Sequence, residues 1–139
     1  MKKLAIIIRD DAYDRLLTPL AFAWLAAASG TEVEVLLVNW AARLVLPGEA
    51  EKLRVSTDHG DRDAWLKEQV AAAGMPANLA DLLRAVRETG KVHVWVCSLA
   101  AQVFGVQEGT VQASLCDGIV GATTFLHDHA AGADLTMTF

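Results

Sequence analysis

The chain alternates between short apolar runs and segments with helical spacing, and no other feature constrains its fold as strongly. Strands that alternate with helices pair in parallel through right-handed crossovers. We therefore predict a three-layer α/β fold, with a mostly parallel five-stranded sheet and helices on both faces, in a Rossmann-like or flavodoxin-like order. The predicted strands are Lys3–Arg9, Glu32–Asn39, Lys91–Cys97, Gly118–Val120 and Asp134–Phe139.

Start and stop signals place helices between these strands. Thr18 and Pro19 are predicted to be the N-cap and the first residue of the first helix, which ends at Ser29–Gly30. Asp63–Ala73 and Asn78–Thr89 have helical spacing and end at glycines. Further helices are predicted over Ser98–Phe104 and Ala122–Ala131, with a short helical turn over Trp40–Val45.

The composition excludes several classes of partner. Twelve Lys and Arg against 17 Asp and Glu give a net charge of −5, so we expect neither a nucleic-acid partner nor a membrane partner. The longest uncharged stretch, Leu16–Thr31, falls short of the roughly 20 apolar residues of a membrane span. Two cysteines do not make a disulfide scaffold and no secretory signal is visible, so we expect a cytoplasmic protein.

Ligands of a parallel sheet gather at the carboxyl ends of its strands, so the site is expected among the segments that follow strand ends. These segments are Asp10–Asp14, Asn39–Gly60, Cys97–Ala101 and Gly121–Thr124. The first has no glycine, which argues against a phosphate-binding loop. An acidic pair after the first strand is also found in phosphoacceptor domains, but such a domain needs an aspartate after the third strand, which this chain lacks. Asp10–Asp14 is therefore predicted to be a solvated acidic turn.

Neither a metal ion nor an organic cofactor is predicted. His127 and His129 are two positions apart, and on a helix such side chains point about 200° away from each other. They are therefore assigned to a solvated helix end rather than to a metal site.

Cys97 is the strongest chemical signal. It ends the clearest strand, and Ser98, Leu99 and Ala100 follow as a first helical turn. Backbone N–H groups and the positive end of the helix dipole stabilise a thiolate at such a position. The alternative is a packed core cysteine. His93 shares the strand face of Cys97 and is either a packed strand histidine or a residue that tunes the thiol.

Cys116 is predicted to be structural. It precedes Asp117–Gly118, and its distance in sequence from Cys97 matches no metal-binding or redox spacing. A thiol-redox pair of Cys97 and Cys116 remains a weaker alternative.

Three segments resemble the DsrE/DsrF-like family of sulfur-relay proteins. VWVCSLAAQVFGV is similar to that family's strand that ends in cysteine, followed by a helix of small residues and a glycine. EVEVLLVNWAARLV resembles its second strand, and DGIVGATTFLHDHAAGADLTMTF resembles its closing strand–helix–strand. The resemblance covers nearly the whole chain and implies a single DsrE/DsrF-like domain over residues 1–139.

The resemblance also implies a function. In this family an active cysteine carries sulfur as a persulfide between donor and acceptor proteins, without a cofactor. By this resemblance Cys97 is the carrier, and the chain is a sulfur carrier or sulfurtransferase. Some family members lack the cysteine, so a non-catalytic oligomeric module that binds a small ligand or a partner is the alternative.

The segment after the second strand is a candidate lid or docking loop. Asn39, Trp40 and His59 are its candidate residues, whereas Pro47–Gly60 matches nothing in the family pattern.

A homo-oligomer is predicted from two observations. Hydrophobic residues make up 53% of the chain, and Leu20–Ala28 is apolar on all faces although a sheet covers only one of them. The family resemblance adds that the oligomer is a trimer or hexamer.

Overall fold

The computed structural model describes residues 1–139, and a five-stranded sheet runs through its centre. Every strand pair is parallel, and the order across the sheet is β4-β3-β2-β1-β5. The strands are β1 (Lys3–Ile8), β2 (Glu32–Leu37), β3 (Val92–Cys97), β4 (Gly118–Val120) and β5 (Leu135–Thr138). All five predicted strands are confirmed, each within two residues at either end.

The helices are α1 (Tyr13–Ala28), α2 (Asp63–Ala72), α3 (Leu79–Arg87), α4 (Ser98–Phe104) and α5 (Ala122–Thr124). Short 3₁₀ segments cover Asn39–Val45, Ala50–Lys52 and Thr57–Arg62, and a π turn covers Phe125–His129. No helix is both long enough and apolar enough to cross a bilayer.

The predicted start of α1 at Thr18 and Pro19 is wrong, because the helix already begins at Tyr13 and Pro19 lies inside it. Distant contacts determine this start. The Tyr13 N–H donates to the Arg54 carbonyl at 2.8 Å, and the Tyr13 hydroxyl donates to the Ala77 carbonyl at 2.6 Å. These long-range bonds anchor a first turn for which the local sequence has no strong cap.

The last predicted helix is shorter and more irregular than expected. Instead of a regular helix over Ala122–Ala131, one α-helical turn passes into the π turn, in which the Ala130 N–H donates to the Phe125 carbonyl at 2.7 Å. This wider turn places the His129 ring 4.3 Å from the Trp95 ring.

Helices cover the two faces of the sheet unequally. Each crossover from β1 to β4 moves in the same direction, so right-handed connections place α1, α3 and α4 on one face. Ile6, Val35 and Val94 lie side by side on that face and are buried. The return from β4 to β5 reverses direction, so α5 and the π turn cover the other face. The prediction of helices on both faces is confirmed.

A small polar network attaches the π turn to this second face. The Trp95 indole N–H donates to the Glu34 carboxylate at 2.8 Å, and His129 Nδ1 lies 3.6 Å from the same carboxylate oxygen. The contact between the two rings adds packing to these polar contacts. The second face therefore depends on a few side chains for its cover.

One apolar side of α1 remains open. Leu20 is fully buried, but Phe22 is 41% and Leu25 67% exposed. Together with Leu135 and Met137 of β5 they line a groove of about 480 Å³. A single subunit therefore leaves part of this helix uncovered, as the sequence predicts.

Two aspartates connect the loop before α2 to the rest of the fold. Asp14 accepts hydrogen bonds from the N–H and the hydroxyl of Ser56, and these bonds outweigh burial and hold the pKa of Asp14 below its ordinary value. Burial would also raise the pKa of Asp63, but an ion pair with Lys67 and a bond from the Val55 N–H lower it overall. Both carboxylates stabilise the fold in their charged form.

Candidate functional site

Cys97 is the last residue of β3 and immediately precedes α4, as predicted from the sequence. Its extended backbone, with φ −61° and ψ 131°, makes the turn from strand to helix, and its neighbour across the sheet is Val120 of β4. The residue is only 7% exposed. The thiol thus lies at the carboxyl edge of the sheet, close to the surface but largely covered.

The first turn of α4 surrounds this position with polar groups. The N–H groups of Ser98, Leu99 and Ala100 have no carbonyl partner within the helix, as at any helix N-terminus. Ser98 also faces the start of α5, since its Oγ lies 3.9 Å from the position that a Cβ on Gly121 would occupy, and Thr124 Oγ1 lies 4.0 Å from it. The starts of α4 and α5 and the hydroxyls of Ser98 and Thr124 therefore lie close together, beside the end of β3.

His93 lies outside this cluster. It shares the strand face of Cys97 but is four residues away, which is about 13 Å along a strand. Its Nδ1 lies 4.0 Å from Asp117, and about half of its side chain is exposed. His93 is therefore beyond hydrogen-bonding reach of the thiol.

Cys116 lies in the turn before β4. The Asp117 N–H donates to the Val94 carbonyl, so the chain beside Cys116 is three residues down β3 from Cys97. The Cα of Asp117 is therefore about 11 Å from that of Cys97, which keeps the Cα of Cys116 more than about 7 Å away, beyond the usual reach of a disulfide. Burial raises the pKa of the Cys116 thiol. The geometry thus argues against the redox pair of Cys97 and Cys116.

The candidate lid residues divide into two places. Asn39 has a left-handed backbone (φ 52°), which a short polar side chain tolerates, and it turns the chain so that Trp40 reaches α4. The Trp40 ring lies 4.9 Å from that of Phe104, the last residue of α4. The first part of the predicted lid therefore adjoins the helix that follows Cys97.

His59 lies elsewhere. It shares a cavity of about 340 Å³ with Asp14 at the start of α1 and with Trp65 of α2. The neighbouring Asp58 is 3.6 Å from Arg15, also on α1. His59 thus belongs to the β1 side of the sheet and is not brought to Cys97.

The carboxyl edge of β1 and β5 is ionic. The order of the strands reverses between these two, which is where ligands of open α/β sheets usually bind. The crevice there measures about 390 Å³ and its lining includes Arg9, Asp10 and Arg15. Asp10 pairs with Arg15 at 2.7 Å, and its pKa is lowered by the Ala12 N–H and by this pairing. The charges in this crevice partly neutralise each other.

The carboxyl edge of β2, β3 and β4 is neutral. The segments 39–42, 97–107 and 118–126 contain no Asp, Glu, Lys or Arg, although 21% of the chain is charged. Cys97 lies within this neutral edge, and Trp40, Leu99 and Val103 expose apolar surface beside it. Val103 is not among the site residues predicted from the sequence, although LAAQVF shows its spacing of four from Leu99.

No three His, Cys, Asp or Glu side chains are grouped so that they could hold a metal ion. What the site offers chemically is a thiol beside helix N–H groups and hydroxyls.

Comparisons with known proteins identify relatives. The model of the DsrE/DsrF-like family matches residues 2–139. A solved structure of a protein of unknown function, MTH1491 from Methanobacterium thermoautotrophicum, is similar with a TM-score of 0.57 and 14% identity, over 99% of each chain. At this identity the likeness concerns the fold alone. No curated protein sequence matches significantly.

Proposed function

Since the chain belongs to the DsrE/DsrF-like family, we propose that it is one DsrE/DsrF-like domain over residues 1–139 and carries sulfane sulfur as a persulfide on Cys97. The observation that carries this proposal is the position of Cys97, at the carboxyl edge of a central strand and directly before α4. Cys116 is buried too, but it precedes the start of β4, and burial raises the pKa of its thiol.

The proposed reaction transfers one sulfur atom in two displacements. The Cys97 thiolate attacks the outer sulfur of a donor persulfide, a new S–S bond forms on Cys97, and the donor leaves as a thiolate. An acceptor thiolate then attacks the outer sulfur on Cys97, whose thiolate is released. The N–H groups of Leu99 and Ala100 and the Ser98 hydroxyl stabilise the negative charge. Neither displacement needs a cofactor or a net oxidant.

The burial of Cys97 favours a second function. At 7% exposure its thiol is shielded, as in a non-catalytic oligomeric module that binds a small ligand or a partner at the strand ends. In that case the chain is not a sulfurtransferase, and Cys97 is a packing residue.

Sulfur loading distinguishes the two functions. The reduced protein is incubated with polysulfide and its intact mass is measured; wild type should gain about 32 Da, the mass of one sulfur atom. Cys116→Ala should gain the same mass, and Cys97→Ser should gain none. Wild type without an adduct would leave the binding module as the function.

The proposal extends to assembly and location. The open groove between α1 and β5 supports a homo-oligomer, which the family resemblance makes a trimer or hexamer. Two unpaired cysteines support a cytoplasmic location, where thiols stay reduced. Sulfur donor and acceptor proteins are the proposed partners.

A further inference from the structure

The helix after Cys97 distributes its side chains in the reverse of the usual order for a surface helix. Its small residues Ala100 and Ala101 are buried against the sheet, while Leu99 and Val103 are 68% and 67% exposed. A surface helix normally buries its large apolar side chains and exposes its polar ones. The two exposed residues are four positions apart and therefore share one outward face.

Trp40 extends this apolar surface. It is 52% exposed and packs against Phe104, which is the next residue after Val103. We call Trp40, Leu99, Val103 and Phe104 the α4 surface. It begins only two residues after Cys97, so a protein that reaches this thiol is large enough to contact Leu99 as well.

The α4 surface is also free of charge. It belongs to the neutral edge described above, and the nearest cation along the chain from Trp40, Arg43, is held by Asp11 and by Glu49. The segments that form this edge therefore supply no cation of their own to bind a small anionic sulfur donor. A partner gains free energy here mainly by burying apolar surface.

The size of the surface indicates what kind of complex forms. With roughly 250 Å² for a whole tryptophan as the yardstick, the exposed parts of Trp40, Leu99 and Val103 amount to about 400 Å². Two such surfaces bury about 800 Å² in total, below the roughly 1,200–2,000 Å² of a stable complex. A permanent dimer through this face alone is therefore disfavoured, and the area suits a short-lived contact.

We propose that the α4 surface is the docking site of a transient protein partner whose reactive cysteine is flanked by uncharged apolar residues. This rests on the proposed function, in which such a partner exchanges sulfur with Cys97. The open groove of α1 and β5 is a separate face and remains available for a second copy of the chain.

The test uses thiol–disulfide exchange, which reports docking without requiring sulfur transfer. Two synthetic peptides of equal length carry one cysteine activated as a mixed disulfide with thionitrobenzoate; leucines flank the cysteine in one, and glutamine and serine flank it in the other. Attack by the Cys97 thiolate forms a protein–peptide disulfide and releases coloured thionitrobenzoate. The protein carries Cys116→Ala, so that only Cys97 reacts.

The leucine peptide should react about tenfold faster than the polar peptide, at low and at high salt alike. Leu99→Gln and Val103→Gln should each remove most of this preference. Leu25→Gln is the matched control: Leu25 is 67% exposed, as Leu99 is 68% exposed, but lies on α1 and should leave the preference intact.

Equal rates for the two peptides, including no reaction with either, would overturn the proposal. So would a preference that falls steeply with salt, or one that Leu25→Gln reduces as much as Leu99→Gln does. Failure of the proposed function looks different: a protein that gains no 32 Da from polysulfide but still prefers the leucine peptide, at about tenfold, keeps the docking surface and loses the sulfur-carrier role.

Discussion

Leu25→Gln on α1 should weaken self-association while leaving the subunit folded. Leu25 is 67% exposed in one subunit, where it lines the groove with Phe22, Leu135 and Met137. Replacement of such a side chain removes little packing within the subunit, and surface substitutions usually change the free energy of unfolding by less than about 0.5 kcal/mol.

The expected magnitude follows from the exposed fraction. Full burial of a leucine side chain contributes about 1.5–3 kcal/mol, and two thirds of Leu25 remains to be buried by a neighbouring subunit. Each Leu25 therefore contributes about 1–2 kcal/mol to an interface, or roughly 5–30-fold in the association constant. A two-fold interface contains the residue twice, so the factor there is the square of this one.

Sedimentation or light scattering over about 1 to 100 µM measures the effect, because association depends on protein concentration. Wild type should be an oligomer at the upper end of this range, and Leu25→Gln should dissociate at higher concentrations than wild type. Leu99→Gln, with the same exposure on α4, should behave as wild type. A wild type with the 14.9 kDa mass of one chain at every concentration, or equal effects of the two variants, would refute the reasoning.

Two further predictions concern oxidation and acid. Mild peroxide should produce no intramolecular disulfide between Cys97 and Cys116, whose Cα atoms are more than about 7 Å apart. A cross-linked peptide in non-reducing mapping would restore the redox hypothesis. Asp63→Asn should lower the free energy of unfolding by about 1 kcal/mol near neutral pH. On acidification the variant should then lose less stability than wild type does. The pKa of Asp63 lies below its ordinary value, so its contribution is present above about pH 4 and disappears as pH falls through the lowered pKa. Urea unfolding at pH 7 and pH 3 measures this, and an equal cost at both pH values would contradict it.

The parallel sheet was predictable because its signals are local. Apolar runs mark the strands, and Gly30 and Gly90 mark helix ends through positive φ values of 87° and 73°, which glycine adopts at little cost. The position of Cys97 between strand and helix was visible for the same reason.

Features that depend on distant contacts were not predictable from the chain. The start of α1 depends on bonds from Tyr13 to Arg54 and Ala77, far along the sequence. His59 is separated from Cys97 because the loop that carries it packs beside α1, near the end of β1, and local sequence does not reveal which strand end a loop packs against. The outward turn of Leu99 depends on which side of α4 packs on the sheet, and a seven-residue helix with apolar residues on several sides does not reveal that.

The return of the last strand to β1 has a consequence for the order of folding. The Lys3 N–H donates to the Asp134 carboxylate, which is 131 positions later in the chain. The pairing of β5 with β1 therefore closes a loop of nearly the whole chain. Contacts between distant residues form late, because their loop-closure entropy must be overcome before they stabilise anything. The pairs β1–β2 and β2–β3 need shorter loops and should form first. Leu135 and Met137 complete the groove beside α1 only when β5 pairs with β1, so the self-association proposed through this groove requires that each chain has folded first.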